Sequence, residues 1–206
     1  MALVHVPRCV HERPMPDVTT LTLNPDHRAR LTGLASLLST WNKAHNLVSR
    51  KLETNQLINL LWEATAFERF LPADAYVADL GSGAGIPALP LALVRPDLTI
   101  EAIEPRQKRC TWLRFAQAEL GCLVRINQRR WEPSWSHFDR VISRAVFPPD
   151  DFCREVGELA DFSLQMTGDV SIDDGRKKYR VVRQREAVGL ILAGERAELL
   201  DLEYSS

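Results

Sequence analysis

The residues with the clearest chemistry are Asp79-Leu80-Gly81-Ser82-Gly83-Ala84-Gly85, an acid followed by glycines at alternate positions. Glycine is needed where a chain turns sharply and where backbone must come closer to a ligand than a Cβ allows. Ala75 to Leu80 reads as a strand running into this loop. Pro87, just beyond it, suits the first turn of a helix, where its missing N–H would have had no partner anyway. Strand, glycine loop and helix in that order form a unit that holds a nucleotide against backbone N–H groups. A second acid, Glu104, closes the next predicted strand about twenty residues on, where a carboxylate can accept hydrogen bonds from both ribose hydroxyls of an adenosine.

The spacing discriminates between adenosine cofactors. A dinucleotide loop reads G-x-G-x-x-G, and counted from Gly81 and Gly83 its third glycine would fall on Ile86. Here the glycine is Gly85, and D-x-G-x-G-x-G favours S-adenosylmethionine over NAD. Asp79 adds to this, because an acid at the strand end can reach an amino-acid ammonium directly or through water. A glycine turn that binds nothing is the plainer reading; the ordered strand, loop, helix and second acid argue against it.

Other elements must position these groups. Leu31, Leu34, Leu38 and Trp41 recur at helical spacing between Arg28 and Trp41, and Leu57, Leu60, Leu61, Ala64 and Phe67 repeat the pattern, with Thr54 as N-cap and Pro72 at the exit. Residues 28–72 are expected to form a small helical cap after a weakly structured lead, 1–27. Beyond Pro72 short apolar runs alternate with helical segments, the signature of βαβ units. Predicted strands are Ala75 to Leu80, Leu98 to Ile103, Leu123 to Asn127 and Phe138 to Ser143, with helices over Pro87 to Val94 and Lys108 to Leu120. Further strands cover Phe162 to Met166, Tyr179 to Arg183 and Ala187 to Ala193, the last two close enough for a hairpin. The fold class is α/β: a class I, Rossmann-like methyltransferase sheet over 73–206, mostly parallel with an antiparallel final strand.

At 206 residues the chain can bury a sizeable core without disulfides or metal. The longest apolar stretch, Ile86 to Val94, is interrupted by Pro87 and Pro90 and is far short of the roughly 20 residues of a membrane span. The first residues lack the apolar core and cleavage site of a secretory signal, so a cytoplasmic protein is expected. Cys9, Cys110, Cys122 and Cys153 are scattered without metal-ligand spacing and read as reduced thiols, with no metal site. The net charge of -1 excludes bulk-charge binding of nucleic acid, yet Glu104 to Arg144 carries nine Arg or Lys against four acids, while Asp150 to Asp174 has eight acids and one Arg. Arg106, Lys108, Arg109, Arg114, Arg129 and Arg130 are either a local RNA-facing patch or a solvated face.

Several segments together resemble the RsmG (GidB) family, which methylates ring nitrogen seven of a guanine in 16S rRNA. Trp41-Asn42-Lys43 with Asn46-Leu47 is similar to its W-N-K-x-x-N-L segment, and the run from Asp79 through Pro87 and Pro90-Leu91 to Val94-Arg95-Pro96 to its cofactor loop and helix. Lys108-Arg109 with Leu113-Arg114 resembles its K-R-x-x-F-L-R helix, and Phe138-Asp139-Arg140-Val141-Ile142-Ser143-Arg144-Ala145 its F-D-x-V-I-S-R-A strand. The resemblance covers Arg28 to Asp151. It implies that Gly81 and Ile86 line the cofactor pocket, that Trp131 and Glu132 flank the adenine, and that Arg144 sits beside cofactor and substrate as the catalytic residue. It also implies 16S rRNA or the small ribosomal subunit as partner; a monomer is expected.

Two departures stand out. The family's H-I-L-D-S segment appears as Leu60-Leu61-Trp62-Glu63-Ala64, and its Lys-Gly segment on the fifth strand as Met166-Thr167-Gly168. They keep open an alternative: a methyltransferase-fold protein with another substrate or no catalysis, acting as a cofactor-binding or ribosome-associated module. Phe147-Pro148-Pro149-Asp150 matches the N/D-P-P-Y/F loop of amino-group methyltransferases poorly, and no Pro-Cys pair offers the nucleophile of a carbon-five cytosine enzyme. Among the tryptophans, Trp41 and Trp62 read as core, and Trp131 and Trp135 as candidates for cofactor or base contact.

Overall fold

The computed structural model describes residues 24–132, 138–144, 163–171, 177–183, 186–193 and 196–201. Cys9, Trp135, the Pro148-Pro149 loop, Cys153 and the acidic stretch up to residue 162 lie outside them, as do residues 1–23 of the lead.

Helix α1 spans Pro25–His45. It begins ahead of the first periodic leucine because Asn24 caps it, its Oδ1 accepting from the Asp26 N–H at 2.9 Å, and Pro25 occupies the first turn. It ends where Asn46 turns left-handed at φ 51° and donates its N–H to the Asn42 carbonyl. The buried Asn42 side chain then accepts the Val48 N–H at 2.9 Å, so the W-N-K-x-x-N-L segment is a helix stop. Helix α2, Thr54–Ala64, is capped by Glu53 rather than Thr54. The Glu53 N–H reaches the Gln56 side chain at 2.9 Å, which uses the acid–x–x–Gln spacing that Thr54 lacks. A 3₁₀ turn, Thr65–Phe70, leads to the sheet.

Strands β1 (Tyr76–Leu80), β2 (Thr99–Ile103), β3 (Arg125–Asn127), β4 (Arg140–Arg144), β5 (Ser163–Ser171), β6 (Lys177–Arg183), β7 (Glu186–Ala193) and β8 (Arg196–Asp201) form one sheet in the order β3-β2-β1-β4-β5-β6-β7-β8. The pairs from β3 through β5 are parallel. Helix α3, Ala88–Val94, connects β1 to β2, and α4, Gln107–Leu120, connects β2 to β3. The expected antiparallel end is larger than one strand: β5, β6, β7 and β8 run as an antiparallel meander, with a register shift between Gly168 and Ser171. The hairpin of β6 and β7 is present, and β8 extends it.

Alternation along the strands sorts the core. Val77, Ile100, Ala102 and Ile142 face α1 to α4, sharing one apolar cluster with Leu31, Leu38, Leu61, Leu91, Trp112 and Leu113. Ala78, Leu80, Ile103, Phe138 and Val141 form the opposite face. All residues of α3 are buried, which explains its unbroken Ala-Leu-Pro-Leu-Ala-Leu-Val run. Arg95 at its end donates to the carbonyls of Glu68, Leu71 and Pro72 and pairs with Asp97 at 2.6 Å, tying the 3₁₀ turn to the sheet. Among the described residues no helix is long and apolar enough to cross a membrane.

Candidate functional site

The sheet order reverses beside β1, since β2 and β4 flank it while the chain passes through β3 between them. Ligands in open α/β sheets bind outside the carboxyl ends of the strands at such a switch. Leu80 is in register with Ile103 on one side and Ser143 on the other. Gly81, Glu104 and Arg144 are therefore the next residues on three adjacent strands, at one edge. By alternation, Asp79, Glu104 and Arg144 belong to the face that carries the helices.

The glycine loop is sewn to the end of β2. The Gly81 and Ser82 N–H groups donate to the Ile103 carbonyl at 2.8 and 3.2 Å, and Gly85 N–H to the Ser82 carbonyl at 2.7 Å. Gly81, Gly83 and Gly85 all have positive φ, of 67°, 55° and 82°. At Gly85 a Cβ would stand 2.6 Å from Leu89 and 2.7 Å from Leu113, so this glycine admits close packing of α3 and α4 beneath the loop. At Gly83 the atoms nearest to a Cβ would be those of the Arg109 guanidinium, at 3.3 Å and 3.8 Å, and the Gly81 carbonyl oxygen at 3.6 Å.

Both acids are nearly sealed from solvent. Asp79 is 1% exposed, and its carboxylate accepts the Ala88 N–H at the start of α3 at 3.3 Å. Burial pushes its pKa up to about 7, against the Ser82 hydroxyl and the Ala88 N–H, and the Glu104 charge adds to the rise. Ser82 Oγ also donates to the Asp79 carbonyl at 2.9 Å. Glu104, 2% exposed, accepts the Gly83 N–H at 3.0 Å, the Arg106 N–H at 2.9 Å and Arg109 Nη1 at 3.3 Å. Two carboxylates beside one another at the strand ends suit a ligand that carries cationic groups and a ribose diol.

Ile86 is buried in the helix-side core and Ser143 donates to the Leu80 carbonyl at 3.1 Å. Arg144 stands at the edge of β4, in register with Met166 of β5. The structure does not bring Trp131 to the acids' face: its ring packs, partly buried, against the opposite face of the sheet, and Glu132 is exposed. Leu61 and Ala64 lie in the helical core and Glu63 is buried at 6% exposure, so this stretch of α2 packs inward. Trp62 is core as expected, and Trp41 is half-buried against Trp112, Phe115 and His45. Arg106, Lys108, Arg114, Arg129 and Arg130 are exposed. Cys110 is a free, buried thiol and Cys122 a free, half-buried one. Among the described residues no group of His, Cys, Asp and Glu could hold a metal.

Sequence reading missed the contribution of α4. Its fully buried Trp112 donates Nε1–H to the Ala84 carbonyl within the glycine loop at 2.8 Å, Cys110 Sγ donates to the Glu104 carbonyl at 3.0 Å, and Arg109 pairs with the Glu104 carboxylate. The only signal was position: these residues follow Glu104 by one to two helical turns.

Comparisons with known proteins place the chain in a family. The family model for GidB, described as rRNA small subunit methyltransferase G, matches residues 27–181. The chain is 40% identical over 121 residues to ribosomal RNA small subunit methyltransferase G of Halorhodospira halophila, covering 58% of this chain and 57% of that protein. It is 34% identical over 147 residues to the protein of the same name from an Azoarcus species, covering 69% and 66%. The match thus spans 57% and 66% of these relatives' length. Solved structures similar to it include coclaurine N-methyltransferase, at 14% identity and TM-score 0.49 over 70% of this chain and 52% of that one. With α2, the glycine loop, α4, the β4 strand end and all but the first two residues of α1 inside the matched residues, the chain belongs to the GidB family of rRNA small subunit methyltransferase G proteins.

Proposed function

We propose that this protein transfers a methyl group from S-adenosylmethionine to ring nitrogen seven of a guanine in 16S rRNA, with a methyltransferase domain over 73–206 and a helical cap over 28–72. The observation that carries the reading is the register that sets the glycine loop, Glu104 and Arg144 side by side at the carboxyl edge of β1, β2 and β4. The residues fit the cofactor: the buried Glu104 carboxylate lies against the glycine loop, accepting the Gly83 N–H at 3.0 Å, and a second buried carboxylate, Asp79, stands at the end of the strand that leads into the loop. When bound, the cofactor supplies an electrophilic methyl on a cationic sulfur.

In this reading Glu104 accepts from the ribose hydroxyls, Asp79 balances the ammonium, and the backbone at Gly81, Gly83 and Gly85 packs against the ligand, with Ile86 beneath. Trp131 and Glu132 are assigned to the adenine side by family resemblance. Ring nitrogen seven of guanine carries an in-plane lone pair and no proton, so the reaction needs alignment and desolvation rather than a general base. Arg144 aligns the guanine through a bidentate contact to its acceptor edge, and the exposed cations of α4 and the β3–β4 connection meet phosphates.

The test is transfer of labelled methyl groups to small ribosomal subunits from cells lacking this methylation. Label is expected in 16S rRNA, falling about 100-fold or more in Arg144→Ala because positioning is the main source of rate. Label at the wild-type rate in that variant would remove Arg144 from the reaction. Binding of S-adenosylhomocysteine without transfer would favour the non-catalytic module, a reading motivated by Met166-Thr167-Gly168 on β5, beside Arg144, where the family pattern has Lys-Gly.

A further inference from the structure

We propose that Arg109 competes with the cofactor's ribose for Glu104, so that this arginine is a latch on the adenosyl site; the inference rests on the cofactor reading above. A carboxylate offers about four acceptor positions. In this structure Oε1 takes the Arg106 N–H at 2.9 Å, and Oε2 takes the Gly83 N–H at 3.0 Å and Arg109 Nη1 at 3.3 Å. One position is left, and a ribose diol brings two donors. One protein donor must therefore leave.

The choice among the donors follows from their freedom. The Arg106 N–H is backbone at the entry to α4, immediately ahead of the Arg109 and Cys110 N–H bonds that begin the helix. The Gly83 N–H lies in a turn held on both sides by the Gly81–Ile103 and Gly85–Ser82 hydrogen bonds. Moving either would rebuild the loop. Arg109 makes the longest contact with Glu104, through a flexible side chain 31% exposed to solvent, and can swing out at the cost of one charge-assisted hydrogen bond. Its guanidinium also lies where the loop has no Cβ, 3.3 Å from the position that a Gly83 side chain would take. It thus occupies the approach to the backbone that the glycine keeps open. Sequence alone left Arg109 either in an RNA-facing patch or on a solvated face; the ion pair turns it inward toward the acid.

Arg109→Gln should tighten binding of S-adenosylhomocysteine about 3- to 10-fold by calorimetry, the range of a partly exposed ion pair with charge-assisted hydrogen bonding. Arg109→Lys, which keeps the charge, should stay nearer the wild type. The gap between wild type and Arg109→Gln should narrow between about 0.02 and 0.5 M salt as the competing pair is screened, a change that altered packing alone would not produce. Thermal unfolding of each variant checks that it is folded. Unchanged or weaker binding by folded Arg109→Gln would overturn the latch and make Arg109 a support for Glu104. Absence of binding by the folded wild type would overturn the cofactor reading and the latch with it.

Discussion

At the scale of single residues, the unusual group is Asp79. It is buried beside Glu104, and burial raises its pKa to about 7. Its folded pKa lies above the unfolded value, so its favourable contribution is complete below about pH 4 and is lost as pH rises through about 7. Asp79→Asn should therefore gain stability relative to the wild type between about pH 5 and pH 8, by about 2–4 kcal/mol, in urea unfolding followed across that range. If the two proteins track each other with pH, the carboxyl is not buried in solution as it is here. Gly85 makes a different demand. Alanine there would need φ near 82° and would sit 2.6 Å from Leu89, so Gly85→Ala should lose about 1–3 kcal/mol, visible as a lower urea midpoint.

At the scale of elements, α4 is the support of the glycine loop. Where the family pattern has phenylalanine, this chain has Trp112, whose indole fastens the Ala84 carbonyl while Trp41 of α1 lies 5.5 Å from its ring. Trp112→Phe keeps most of the packing and removes the donor. It should cost about 1–3 kcal/mol by leaving a buried carbonyl short of a partner. It should also raise the KM for S-adenosylmethionine while leaving that for RNA unchanged; steady-state kinetics with each substrate varied in turn would show the split. A uniform loss of both would mean that the helix matters only for folding. Some of this was legible in residue patterns. The leucine stripe of α1, the βα units and the β6–β7 hairpin follow from periodicity, which is a local property. Helix α1 starts at Pro25 rather than Arg28 and α2 is capped at Glu53 rather than Thr54, because caps are chosen by side-chain hydrogen bonds at Asn24 and Gln56, which apolar periodicity does not record.

At the scale of the whole molecule, a cofactor that binds only the folded sheet must stabilise all of it. S-adenosylhomocysteine at about 100 times its Kd adds about 2.7 kcal/mol and should raise the unfolding temperature by about 5–10 °C for a chain of this size, whereas NADH should leave it unchanged. A shift with NADH alone would reverse the reading of the glycine spacing. By itself the sequence determined the glycine loop, its two acids and their order among strands and helices, because turn sterics and hydrophobic period act between near neighbours. Only the tertiary structure decided that Glu104 is shared with Gly83 and Arg109, that Trp112 holds the loop, that Trp131 packs on the other face, and that the sheet ends in three antiparallel strands. Those outcomes depend on which faces meet when helices and strands pack, and residues as far apart as Ala84 and Trp112 carry no local sign of meeting.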